Sequence, residues 1–179
     1  WLGLAGSLTE TSRKLFLDNK TGIFNFSPST GEVLLSNSME VQDNVIPSSN
    51  SVMAHNLFRL GHFHADSQLL EESKSMIRKF SGRFEQYPRA HANWGQLLLK
   101  QIHPYFEVVV AGPSAFTILK NAMREYLPHV MFAGTDRESS LPLLRDRYES
   151  NKTRIFVCQE NVCHQPLEEL SDAREIYHT

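Results

Sequence analysis

The sequence predicts a mainly α architecture over residues 1–104, followed by a small three-stranded, mostly parallel α/β unit over residues 105–179. Three observations carry this. Up to Pro104 apolar residues recur at helical spacing; beyond it they gather in short continuous runs, two of which end in glycine; and a helical stripe separates those two runs. With 179 residues, 41% of them hydrophobic, the chain can bury a core of ordinary domain size.

The first part reads as successive amphipathic helices joined as hairpins. Leu4, Leu8 and Leu15 define one stripe, and Met53, Leu57 and Leu60 a second that Gly61 ends. Leu69, Met76, Phe80 and Phe84 form a third, and Ala90, Trp94, Leu97 and Leu98 a fourth. Asp66 stands where an N-cap opens the third, and Pro88 where a first-turn proline opens the fourth. Between the first two helices, the runs Gly22-Ile23-Phe24-Asn25-Phe26 and Glu32-Val33-Leu34-Leu35 flank a Ser/Pro/Thr/Gly turn. That pattern predicts a small hairpin or an ordered loop.

After Pro104, the run from Phe106 to Ala111 ending at Gly112 reads as a buried strand. Phe116, Leu119, Met123 and Leu127 make a helical stripe, and Val130 to Ala133 repeats the strand with Gly134 at its end. Strand, helix, strand is the signature of a parallel pair with a crossover helix. Residues Arg154 to Cys158 supply the third strand.

A formal charge of −2, with lysines and arginines spread along the chain, leaves no basic footprint for nucleic acid. No apolar stretch reaches the roughly 20 residues of a membrane span, so no membrane is expected as a partner. The chain opens at Trp1 within a helical pattern and reads as a piece of a longer protein. Only Cys158 and Cys163 are present. Two cysteines make no disulfide framework, which sets a reducing, cytoplasmic compartment as the default. Their four-residue spacing differs from that of a thioredoxin-type pair or a zinc knuckle. A buried structural pair is the expectation, although a loop at the strand end could bring both thiols together. The histidines lack metal-binding spacing, so no metal and no cofactor is expected.

The most informative run is Asp43-Asn44-Val45-Ile46-Pro47-Ser48-Ser49-Asn50-Ser51, placed directly before the second helix. Proline disfavours helix at Ile46, which leaves Ser48, Asn50 and Ser51 at a helix opening with free N–H groups and partial positive charge. Such a place could hold a sugar or another small polar ligand. Glu40 and Asp43 lie just before it, and paired carboxylates serve acid and base chemistry on sugars. His55, four residues beyond Ser51, could face the same site. The plainer reading is that Ser48 caps the helix and the acids are solvated.

These residues resemble the YyaL-type proteins, a family that includes the spermatogenesis-associated thioredoxin-like proteins of animals. The resemblance is carried by the acid-to-Pro-Ser-x-Asn-Ser run with Leu57-Phe58-Arg59-Leu60-Gly61, by Glu107 to Gly112, and by Phe156 to Pro166. It implies a chain made of the last hairpins of an α/α toroid, similar to the six-hairpin fold of N-acylglucosamine 2-epimerases and many glycosidases, followed by a short α/β piece. An N-terminal thioredoxin-like domain would precede both. Glu40, Asp43, Pro47, Ser48, Asn50 and Ser51 match the family pattern, whereas Asn44 and Ser49 stand where glycine is usual.

Two functions follow from this resemblance. In the first, the toroid is carbohydrate-active, with Asp43 and Glu40 as acid/base groups and Ser48, Asn50, Ser51 and His55 as substrate-positioning groups. In the second, it is a non-catalytic scaffold serving the thioredoxin-like domain. Expected partners are the remainder of the parent chain and, where apolar faces lose their neighbours, a second copy of the same chain.

Overall fold

The computed structural model describes residues 1–29, 38–160 and 162–178. The chain forms two compact units, one of residues 1–62 and 66–99, the other of residues 63–65 and 100–179.

Among the described residues, the first unit is built on four α-helices. Helix α1 spans Leu2–Phe16 and α2 spans Ser49–His64. Helix α3 spans Ser67–Arg78, and α4, Ala92–Ile102, is entered through a 3-10 turn over Pro88–His91 with proline in its first turn. Asp66 caps α3 as its position predicts, its Oδ1 accepting from the N–H groups of Gln68 and Leu69 at 2.8 and 3.2 Å. The core is Leu57, Phe58, Leu60, Met76, Ile77, Phe80, Trp94 and Leu97, with the Phe80 and Trp94 rings 5.2 Å apart.

Three expectations change here. Gly61 does not end α2, which runs on to His64 and closes with Ala65 at φ 50°. The glycine is needed for a different reason, because a Cβ there would lie 2.7 Å from Leu70 Cγ. The leucine stripe of α1 faces outward, with Leu4 and Leu8 more than half exposed while Thr9 is buried. Finally, Ile23–Phe24 (β2) pairs antiparallel with Leu17–Asp18 (β1), so the apolar run turns back on the end of α1. Residues 32–35, the other half of the expected hairpin, lie outside the described residues.

The second unit corrects the expected three-stranded, mostly parallel sheet. It holds a four-stranded mixed sheet of β3 (Phe106–Ala111), β4 (Val130–Thr135), β5 (Arg154–Gln159) and β6 (Val162–Cys163), in the order β4-β3-β5-β6. Only β3 and β4 are parallel, linked by helix α5, Ala115–Ala122; β5 runs antiparallel to β3, and β6 antiparallel to β5. The reason lies in the connection. A parallel partner needs a crossover, usually a helix, and residues 136–153 form turns and bends with no helix. The chain therefore returns beside β3 in the opposite direction.

All six residues of β3 are buried, Glu107 among them, as a largely apolar central strand requires. One sheet face, with Phe106, Val108, Val110, Val130, Ile155 and Val157, packs against Ala115 and Leu119 of α5 and against Ala173 and Tyr177 of α6, Leu170–Tyr177. The opposite face, with Val109, Met131, Ala133 and Phe156, is covered by Leu141, Leu143 and Leu144. The buried stripe of α5 differs from the expected one, since Phe116 and Met123 are exposed. Gly112 sits at φ 134° with Lys152 O only 2.2 Å from where a Cβ would stand, so both conformation and space demand glycine.

Cys158 and Cys163 are opposite one another on β5 and β6 and form a disulfide. Cys158 is 1% exposed, whereas Cys163 is exposed, so the expected buried pair is half buried and covalently joined.

Candidate functional site

The run before α2 folds into a closed hydrogen-bonded knot that ties four segments of the first unit together. Its centre is Asp43, 8% exposed. Oδ1 accepts from Ser48 N–H at 2.9 Å and lies 2.8 Å from the Ser51 hydroxyl. Oδ2 accepts from the N–H of Asn93 at 2.8 Å. Ser48 leads directly into α2 and Asn93 stands in the first turn of α4, so one carboxylate serves the N-terminal ends of two helices. Both ends present unsatisfied N–H groups and partial positive charge, which favours an anion between them. Asp43 also donates its own N–H to Ala90 O at 2.8 Å, fixing the loop against the turn that opens α4.

Ser48 performs the capping role its position predicts, its Oγ accepting from Ser51 N–H at 3.2 Å. The Ser51 hydroxyl, shared between Asp43 Oδ1 and Ser48 O, also accepts from Asn93 Nδ2 at 2.9 Å. Asn50 is fully buried. Its Nδ2 donates to Phe24 O and Glu40 O, each at 2.9 Å, and its Oδ1 accepts from Phe24 N–H at 2.8 Å. The side-chain amide thus pairs with both backbone groups of Phe24, as a neighbouring strand would. Glu40 is exposed; its Oε2 accepts from Ser49 N–H at 3.1 Å. His55 Nε2 is 3.0 Å from Asn93 O.

Asp43, Ser48, Asn50 and Ser51 therefore gather at one place, with Glu40 at its rim and His55 joined through Asn93. Their polar atoms face inward, toward each other and the backbone of Phe24, Glu40 and Asn93. Asn44 and Ser49 both keep negative φ, so neither position uses the conformational freedom of the glycine usual in the family. A surface groove of about 660 Å³ is lined by Gly22, Ser67, Gln68, Glu71, Glu72, Ser75 and Lys79, none of them a candidate residue.

Asn93 is the partner that sequence reasoning missed. It engages Asp43, Ser51 and His55 across 38 to 50 residues of sequence. The one local signal is its place just beyond Pro88 at the opening of the fourth helix, where an orphan N–H calls for an acceptor. The neighbouring Trp94 adds a tie of the same kind, its indole N–H donating to Val41 O at 2.8 Å. Among the described residues no helix is long and apolar enough to cross a membrane.

No family model matches the chain. Along 190 aligned residues it is 27% identical to spermatogenesis-associated protein 20 of Homo sapiens, an alignment that takes in 99% of this chain and 24% of that protein. The proteins of the same name from Mus musculus and Rattus norvegicus are 27% and 26% identical over the same extent. The chain spans about a quarter of the length of these relatives. Similarity running its whole length supports homology to spermatogenesis-associated protein 20, in keeping with the family resemblance carried by the run before α2.

Proposed function

We propose that this chain is a non-catalytic scaffold, a helical and α/β segment of a longer polypeptide that seats other parts of that polypeptide, including the thioredoxin-like domain implied by the family resemblance. The observation that carries this reading is the saturation of Asp43 and Asn50. An acid/base carboxylate must reach the proton it moves, and both oxygens of Asp43 are occupied by partners from the chain itself. The carbohydrate-active alternative asks Asp43 and Asn50 to release several buried hydrogen bonds before touching a sugar. Each would cost about 1–3 kcal/mol unless the ligand replaced it. Glu40 alone stands at the solvent boundary, and a single rim carboxylate lacks the second group that glycoside chemistry uses.

The outward face of α1 supports a docking role. Trp1, Leu4 and Leu8 fall on one side of the helix and are all more than half exposed. The occupant proposed is a neighbouring helix of the same longer polypeptide, consistent with relatives about four times the length of this chain. Without that helix, a second copy is the available apolar partner. Sedimentation equilibrium of this chain is expected to give an average mass that rises with concentration, and Leu4→Ser/Leu8→Ser is expected to hold it at the monomer value. A wild-type chain that stays monomeric at high concentration would count against this reading.

A further inference from the structure

Beside the disulfide lies a group that packing alone does not call for. Arg147 reaches both sulfurs, with Nη1 3.5 Å from Cys158 Sγ and Nη2 3.5 Å from Cys163 Sγ. Its guanidinium also stacks over the Phe156 ring, 5.0 Å from the centroid, which fixes the fork in place. Sulfur in a disulfide is a weak acceptor, so while the pair is oxidised the return for partial burial of this cation comes from Glu107 and Phe156 and little of it from the sulfurs. A thiolate is a full anion, and a planar cation with one donor on each sulfur is arranged to receive two of them.

The two sulfurs differ in access. Cys158 is buried, and Cys163 is exposed at the edge strand. From the forked Arg147 and this asymmetry we infer that Cys158–Cys163 is a thiol–disulfide exchange site whose co-substrate is a dithiol, attacked at Cys163 and releasing Cys158 as thiolate onto Arg147. The step balances as a two-electron reduction. One thiolate of the dithiol forms a bond to Cys163 Sγ, the Cys158–Cys163 bond breaks, and its electron pair leaves on Cys158 beside Nη1. The second sulfur of the dithiol, having given its proton to solvent, attacks the first and forms the cyclic disulfide of the reagent. Cys163 is expelled as thiolate beside Nη2. The protein gains two electrons and the dithiol loses them. Run backwards, the same steps oxidise a dithiol formed here.

The carboxylate of Glu107 enters the balance as well. Glu107 lies opposite Cys158 across β3 and β5, on the same face of the sheet. Burial pulls the Arg147 guanidinium down from the usual arginine range, and attraction to Glu107 pulls it back. Arginine remains charged at neutral pH, and lower thiol pKa values make better leaving groups.

The test is reduction of the folded chain by dithiothreitol at neutral pH, with thiols counted and far-UV circular dichroism recorded together. Two thiols per chain are expected while the secondary structure persists. Arg147→Gln is expected to slow reduction by about five- to tenfold through the poorer leaving thiolate, and Arg147→Lys to recover part of that rate. If Arg147→Gln does not fold, the Lys variant carries the comparison, since it keeps the charge but cannot contact both sulfurs. With glutathione disulfide, Cys158→Ser is expected to form a mixed disulfide at Cys163 at least about tenfold faster than Cys163→Ser forms one at Cys158, following exposure. Reduction that requires denaturant, or equal rates for wild type and the Arg147 variants, would overturn the inference and leave a structural disulfide.

Discussion

Asp43→Ala is expected to destabilise the first unit by about 3–5 kcal/mol, from about 1–3 kcal/mol for each buried backbone donor left without its acceptor. The loss strands Ser48 N–H and Asn93 N–H and takes one partner from the Ser51 hydroxyl, which keeps Ser48 O and Asn93 Nδ2. It also removes the negative charge that two helix openings face. For a chain of this size the Tm should fall by roughly 10 °C. Asp43→Asn should lie between wild type and alanine, because one oxygen becomes an NH₂ that meets a donor where an acceptor stood. Chemical denaturation of the three proteins measures the series. A catalytic carboxylate held ready for substrate would show the opposite pattern, with little stability lost or some gained on neutralisation.

Asn50→Ala is the second large effect, expected at about 3 kcal/mol. The fully buried amide satisfies Phe24 N–H, Phe24 O and Glu40 O, and its removal takes that partner from all three. Asn50→Asp should cost at least as much, since it keeps the shape but turns a two-proton donor into an acceptor facing two carbonyl oxygens. Asp43 and Asn50 are both anchored to the opening of α2, so their effects should fall short of additivity in a double-mutant cycle. Strict additivity would mean that the knot is two independent ties.

What was legible in the sequence were the features with a local cause. Asp66 and Pro88 announce the openings of their helices through capping chemistry and fixed φ, and Phe106 to Ala111 announces a central strand by an apolar run interrupted at Glu107 alone. The direction of β5 was not legible from its own residues, because a strand reads alike both ways; it is set by the helix-free connection before it. The α1 stripe has the period of a buried face without being buried, since periodicity reports a face and not what covers it. At the candidate site, the residue types and their place at a helix opening could be read from the Asp43 to Ser51 run, but not whether they converge on a cleft or on one another. Their purpose depends on Asn93 and Phe24, which only the fold brings within reach of Asp43 and Asn50.

The central claim is that the helix opening is a closed structural knot. Residue-resolved amide exchange of Ser48 and Asn93, whose N–H groups end on Asp43, measures this most directly, with and without an excess of an N-acetylated sugar. Slow exchange comparable to that of Leu57 within α2, unchanged by the sugar, is the predicted result. Fast exchange at Ser48 and Asn93, or protection that shifts when sugar is added, would contradict it and return Asp43 to the role of a ligand-facing acid.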